Sequence, residues 1–197
     1  MLEMLDAHPD AACVGPKTYY HADPGRLWSA GGRLRFREAV TAERGMGEID
    51  RGQYDVSGPV DYINGCCMLV PRAVMQEVGP WDPVYHVAGE DADWCARAVA
   101  RGYRCYYAHR ARLWHMVSPS TGGYTARRTF QTGRSTAIFV RRHGRRGQRL
   151  RHLAWFGLAL LAAGLRELPR RNLAAVVAKL RGAREGWRLP LPPPPRF

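Results

Sequence analysis

The stretch from residue 60 to residue 114 constrains the fold most, because it reads as strand, helix and strand in succession. It opens with Val60-Asp61-Tyr62-Ile63-Asn64-Gly65-Cys66-Cys67-Met68-Leu69-Val70, a mostly apolar run interrupted by Asn-Gly. The second half of that run predicts a buried strand, and a short helix over 71–78 follows and stops at Gly79. Residues 88–101 carry a helical pattern closed by Gly102, and 103–108 and 112–114 read as strands. Alternation of this kind points to an α/β layer.

The flanks carry weaker signals. Residues 1–8 predict the end of a helix, with Leu2 and Leu5 on one side and Pro9 as the stop. Short extended pieces at 11–14 and 17–20 are separated by Gly15-Pro16, and 21–56 reads as a long loop carrying a small hairpin. Beyond Gly122-Gly123 the pattern turns helical over about 125–142. Residues 153–165 contain no charge and lie between Arg149, Arg151, Arg166, Arg170 and Arg171. Thirteen residues fall short of the roughly 20 that a spanning helix requires. An amphipathic basic helix over 173–187 and an extended proline-rich end over 190–195 complete the chain.

Composition excludes some classes of function. The 197 residues are 46% hydrophobic, enough to bury a core and to rule out wholesale disorder. The net charge of +13 suggests a nucleic-acid binder until its distribution is counted: residues 1–125 sum to −2 and residues 126–197 to +15. The body is nearly neutral, and no nucleic-acid-binding motif accompanies the basic tail, so no nucleic-acid partner is expected. Five cysteines form no C-x-x-C pair, which predicts buried free thiols in a reducing cytosol. Glu3, Asp6 and Asp10 argue against a signal peptide at the start.

The densest chemistry lies in Gly89-Glu90-Asp91-Ala92-Asp93-Trp94-Cys95-Ala96-Arg97. Asp93 and Arg97 stand i,i+4 on a helix and are able to pair, while Asp91 points elsewhere. Acids at a helix N-terminus are favoured by the macrodipole without any function. Carboxylates this close also raise one another's pKa, which suits an acid/base site. His115 ends a strand beside the polar run Ser118-Pro119-Ser120-Thr121-Gly122-Gly123, a place from which it can reach a cleft or make a structural hydrogen bond. Asn64-Gly65 admits either close approach of a ligand or a β-bulge, and the bulge is the plainer reading.

Taken in order, HPDAACVGPKTYY, RLWSAGG, VDYINGCCMLVPRAVMQEVGPWDPVY, GEDADWCARAVARGYRCYYAHRARLWH, STGG and GRSTAIFVRRHG resemble the second half of a family 2 glycosyltransferase catalytic domain. Within that family the series is most similar to bacterial enzymes that add rhamnose or galactofuranose to cell-envelope glycans. The resemblance implies a GT-A, Rossmann-like α/β fold and inverting transfer from a nucleotide-sugar donor to a glycan or lipid-linked acceptor. It also implies Asp91 as general base, Glu90 orienting that base or holding an acceptor hydroxyl, and Asp93, Trp94, Asn64 and Gly65 on the acceptor side, with Trp94 offering its face to a sugar ring. His115 would ligate a divalent cation, Mg²⁺ or Mn²⁺. The main carboxylate ligands of that cation are expected in an Asp-x-Asp motif that family members carry upstream of the matched region, and no such motif precedes residue 10.

The expected organisation is therefore a truncated, acceptor-side half of a GT-A domain over 1–125, incomplete for want of the N-terminal donor-binding half, then a basic amphipathic helical region over 126–188 and a proline-rich tail over 189–197. The arginines of 141–151, leading into an uncharged helix and then a basic one, suit a helix pair on an anionic membrane surface. That places the protein in the cytoplasm, against the inner face of the plasma membrane. The alternative is a non-catalytic remnant that binds a membrane or a partner protein through the same helices.

Overall fold

The computed structural model describes residues 1–116 and 124–196; the Ser-Thr-Gly-Gly run of 120–123 lies outside the described residues. The α/β class expected from the sequence is present. Four strands form one mixed sheet, in the order β2 (Asp23–Ser29), β1 (Ala11–Tyr20), β6 (Arg104–His115) and β5 (Gly58–Val60). The central pair β1 and β6 is parallel, and both outer strands run antiparallel to their neighbours. A separate hairpin joins β3 (Gly32–Leu34) to β4 (Thr41–Glu43). It is the small hairpin expected between residues 21 and 56, although β2 makes that region more regular than a long loop.

Both faces of the sheet are covered, as a parallel pair requires. Successive residues of β1 point to opposite sides. Val14 joins Tyr106 and Ala108 under α1 (Leu2–Ala7), which packs through Met1, Met4 and Leu5 and leaves Leu2 exposed. Cys13 faces the main core, formed with Ala92, Trp94, Cys95 and Ala98 of α3 (Glu90–Val99). Val74 and Val78 of α2 (Arg72–Val78) belong to the same core.

Several sequence expectations change here. Strand β1 is continuous through Gly15-Pro16: Ile63 occupies the space a Cβ at residue 15 would take, and the register shifts directly after Pro16, where the ladder loses a donor. Likewise 104–115 is one strand, whose pairing with β1 jumps from Ala108 to Arg112 so that three residues bulge out. The buried strand expected in the second half of 60–70 is not formed. Asn64 accepts from the Cys66 and Cys67 backbones through Oδ1 and O, which ties the chain into a turn, and among the described residues only Leu69 of this second half bonds across to the sheet, exchanging N–H to carbonyl bonds with Val14 at 2.9 Å.

Three helices follow: α4 (Ala126–His143), α5 (Arg146–Glu167) and α6 (Leu173–Arg188). Helix α4 contributes Ile138, Phe139 and Val140 to the main core, so the body and the basic helices share one interior. Its pairing with α6 is close because Gly133, Gly182 and Gly186 bring backbone against backbone; a methyl group at any of them would strike a facing carbonyl of Lys179, Phe130 or Arg134 respectively. Much of the basic charge works internally. Arg141 donates to the carbonyls of Gly186 and Leu189, Arg149 to those of Gly144 and Arg141, and Arg142 to Pro192. The extended proline-rich end is held against the body by these bonds, with Pro195 beside Gly79.

Candidate active site

A cleft of about 380 Å³ opens at the N-terminus of α3, between the β3–β4 hairpin, the Asn64-Gly65 turn and the end of β6. Ala88 and Gly89 both adopt left-handed backbone conformations, with φ of 65° and 100°, and turn the chain so that α3 begins at the cleft wall. Glu90 and Asp91 are its first two residues and both line the cleft. The Asp91 carboxylate is held from two sides: Oδ2 accepts from Gly65 N–H at 2.9 Å and Oδ1 from Ala92 N–H at 2.7 Å. Gly65 is therefore a point of close backbone approach to Asp91, not a bulge.

Removal from water pushes the Asp91 carboxyl up to about 6, against the two backbone hydrogen bonds that act to lower it, and the charge of Glu90 adds to the rise. Crowding of carboxylates contributes as the sequence suggested, but burial is the larger cause. Oε2 of Glu90 is buried and has no partner among the described residues, which leaves a carboxylate oxygen free to accept from a hydroxyl.

A further part of the cleft lining is not legible in the sequence. Glu43, at the end of β4, also lines the cleft and accepts from Tyr62 Oη at 2.6 Å, Asn64 Nδ2 at 3.3 Å and Ser29 Oγ. Burial, and then the charge of Glu43, push the Tyr62 hydroxyl up and keep it a donor. Glu43 lies in the stretch read as a loop, and only the hairpin register that sets Gly32 opposite Glu43 brings it here. His115 lines the same cleft with its ring edge-on to Trp28, at 4.9 Å between centroids.

Two expected site residues stand elsewhere. Trp94 is fully buried; its Nε1–H donates to the Gly79 carbonyl at 2.8 Å and its ring stacks on Trp81, so it offers no face to a sugar ring. The aromatic residues that line the cleft are Trp28 and Tyr62. Asp93 is also fully buried and forms the centre of a charge cluster: Oδ2 accepts from Arg97 Nε at 2.9 Å, and Oδ1 lies 2.8 Å from His143 Nε2, 3.1 Å from Tyr85 Oη and 3.3 Å from an Arg142 nitrogen. Burial acts to raise its pKa, but the bonds from His143 and Arg97 prevail and hold it below the usual carboxylate range. The i,i+4 pairing with Arg97 is as expected. Arg97 also binds the carbonyls of Val78 and Pro80, and Arg142 pairs with Asp82 at 2.8 Å, so the cluster joins α3 to α4 and to the end of α2. The role of Asp93 is to fix the helix that presents Asp91.

Among the described residues, the one convergence of three potential metal ligands is Cys13, Cys95 and Cys105, with sulfurs within 4.8 Å in the buried core. These are free thiols, soft donors unlike the oxygen set that Mg²⁺ or Mn²⁺ takes. Cys66 and Cys67, expected to be buried, are only half-buried, and Cys66 reaches the cleft. A hard cation in the cleft would find an imidazole in His115 and carboxylates in Glu43 and Glu90, without a preassembled triad.

The profile of the glycosyltransferase-like family 2 matches residues 1–147. Two curated relatives carry the name N-acetylglucosaminyl-diphospho-decaprenol L-rhamnosyltransferase and come from Mycobacterium tuberculosis strains CDC 1551 / Oshkosh and ATCC 25618 / H37Rv. Each is 29% identical over 126 residues, which is 64% of this chain. The chain spans 38% of the length of these relatives.

Proposed function

Because this chain belongs to the glycosyltransferase-like family 2, we propose that its cleft is the acceptor side of an inverting glycosyltransferase, with Asp91 as general base. The observation that carries this reading is the Asp91 carboxylate: it lines the cleft, two backbone N–H groups fix both its oxygens, and its pKa of about 6 leaves it ionised at neutral pH. In a single displacement the acceptor hydroxyl attacks the anomeric carbon as its proton passes to Asp91, and the nucleoside diphosphate departs from the opposite side. Oε2 of Glu90 accepts from a second acceptor hydroxyl, Asn64 and Gly65 form the floor, and Trp28 replaces Trp94 as the aromatic wall. Glu43, fixed by Tyr62 and Ser29, faces the acceptor from the hairpin. A divalent cation, Mg²⁺ or Mn²⁺, would take His115 as one ligand and neutralise charge on the leaving diphosphate.

The name of the mycobacterial relatives supports a lipid-linked glycan acceptor; a nucleotide-sugar donor and a place at the inner face of the cell membrane complete the proposed reading. The domain reading that goes with this is an acceptor-side half over 1–125, basic helices over 126–188 and a proline-rich tail over 189–197. The test incubates the protein with a panel of nucleotide sugars, a polyprenyl-diphosphate-linked N-acetylglucosamine and Mg²⁺ or Mn²⁺, and detects the lengthened glycolipid by mass spectrometry. Product that disappears in Asp91→Asn while acceptor binding persists is the expected result. Undiminished transfer by Asp91→Asn overturns the assignment of the base. Acceptor or membrane binding without transfer from any donor favours the non-catalytic alternative.

A further inference from the structure

Helix α5 stands apart from α4 and α6. Its side toward the body is narrow, with His152, Phe156, Ala163 and Glu167 buried. His152 meets the carbonyl of Arg37, and Phe156 lies under the ammonium of Lys179. The other side carries Leu150, Leu153, Leu158, Leu161, Leu165 and Leu168, all exposed, from 47% at Leu153 to 76% at Leu165. At 100° per residue these six fall within a sector of about 140° centred nearly opposite Phe156 and Ala163. Along the axis the stripe runs for about 27 Å at 1.5 Å per residue. No described part of the chain covers it.

We propose that α5 lies in the plane of an anionic membrane surface with this leucine stripe in the boundary between headgroups and acyl chains. The sequence points to a basic helix pair; in the tertiary structure the long uncovered stripe lies on α5, while α4 and α6 spend their facing sides on each other and α6 leaves only the shorter run Leu173, Val177 and Leu180 exposed. Charge complementarity names the occupant. Arg145 and Arg146 at one end of the stripe and Arg170 and Arg171 at the other are exposed. The two acids beyond residue 125 are both engaged: Glu167 is buried against Arg166 and Asn172, and Glu185 pairs with Arg134 at 2.8 Å. An apolar stripe framed by arginine without free carboxylates is repelled by no part of an anionic headgroup layer. Among the described residues no helix is long and apolar enough to cross a membrane, which agrees with an in-plane position. The inference rests on the transferase reading only in giving that cleft a lipid-linked acceptor at the same surface; the lipid contact itself is independent of catalysis.

The test is co-sedimentation of the full chain with phosphatidylcholine vesicles and with mixed phosphatidylcholine–phosphatidylglycerol vesicles, at low and raised salt. The wild type is expected on the mixed vesicles, with weaker binding to the neutral ones and at raised salt. Leu158→Glu/Leu161→Glu, at solvent-facing positions, is expected to weaken binding more than tenfold with its melting temperature unchanged. Arg170→Gln/Arg171→Gln provides a second handle should the first variant fail to fold. At about 1 kcal/mol per basic residue near the surface, each replacement weakens binding to mixed vesicles about fivefold at low salt. Asp91→Asn is expected to bind as the wild type does, so loss of transfer and loss of lipid binding are read separately. Equal binding to neutral and anionic vesicles, or a stripe variant that binds as tightly as the wild type, overturns the proposal. So does a wild-type dimer by light scattering that becomes a monomer in the stripe variant without any vesicle binding, which would assign the stripe to a second copy of this chain.

Discussion

Asp91 and Asp93 are two residues apart on one helix, yet their environments drive their acidities in opposite directions. Asp91 meets only neutral donors and loses water, so its proton is held more tightly in the folded chain than the reference value of about 3.9. Between about pH 4 and pH 6 the folded state binds more protons than the unfolded one, and stability falls as pH rises through that window. Asp91→Asn is therefore expected to stabilise the chain by about 1–2 kcal/mol at neutral pH, allowing for one lost backbone bond, and to gain little below about pH 4. Urea denaturation at several pH values measures this. In the transferase reading kcat/KM falls about tenfold per pH unit below about 6, as the base takes up its proton. Asp93 has the opposite logic, because Arg97, Arg142 and His143 surround it. Asp93→Ala is expected to destabilise by about 3–5 kcal/mol by leaving the buried Arg97 guanidinium without its carboxylate, which a thermal melt would show. Both residues are legible in the sequence from their place in one acidic run, and the Asp93–Arg97 pairing from i,i+4 spacing. That His143 and Arg142, some fifty positions away, claim Asp93 for the scaffold is written in no local pattern.

Element by element, the helices were easier to read than the strands. Helix α3 is bounded by signals inside its own sequence, with acids in the first turn and Gly102 just past the last. Strands β1 and β6 each read as two pieces because Gly15-Pro16 and residues 109–111 interrupt the pattern locally. The sheet absorbs both interruptions with one register shift, a property of the pairing and not of either strand. The turn at Asn64 has the converse cause, since local hydrogen bonds took backbone groups that a strand would have needed. The glycines of α4 and α6 mattered more than any pattern suggested. Gly182 faces the Phe130 carbonyl with no room for a methyl group, so Gly182→Ala is expected to cost about 1–3 kcal/mol through forced separation of the two helices, despite the higher helix propensity of alanine. A loss smaller than the propensity gain, read from the melting temperature, would show that the seam is looser than its geometry.

At the scale of the whole molecule, a net charge of +13 makes the acid response informative, because every carboxylate that protonates adds to self-repulsion. Lys17 is fully buried and bonds to Asp50 and Asp55, which ties β1 to the turn that follows Ile49. Burial alone would raise Asp50, but the bonds from Lys17 and Tyr19 bring it down to about 2. A depressed acid contributes stability that is complete above about pH 4 and is lost as pH falls through about 2, so the urea midpoint is expected to drop across that interval. Lys17→Met is expected to flatten the drop, and an unchanged slope would place the acid-sensitive group elsewhere.

The sequence by itself determined the α/β class, the acidic start of α3 with Asp91 and Glu90, the candidacy of His115 and the division of charge between body and tail. Each depends on residues close together in the chain or on the order in which they occur. The tertiary structure alone decided that Glu43, Tyr62 and Trp28 join the cleft, that Trp94 and Asp93 belong to the interior, and that one leucine stripe of α5 remains uncovered. The physical reason is that burial and partner choice are set by which elements pack together. Hairpin register, a parallel pairing across ninety residues and a glycine seam between helices are contacts that no local pattern specifies.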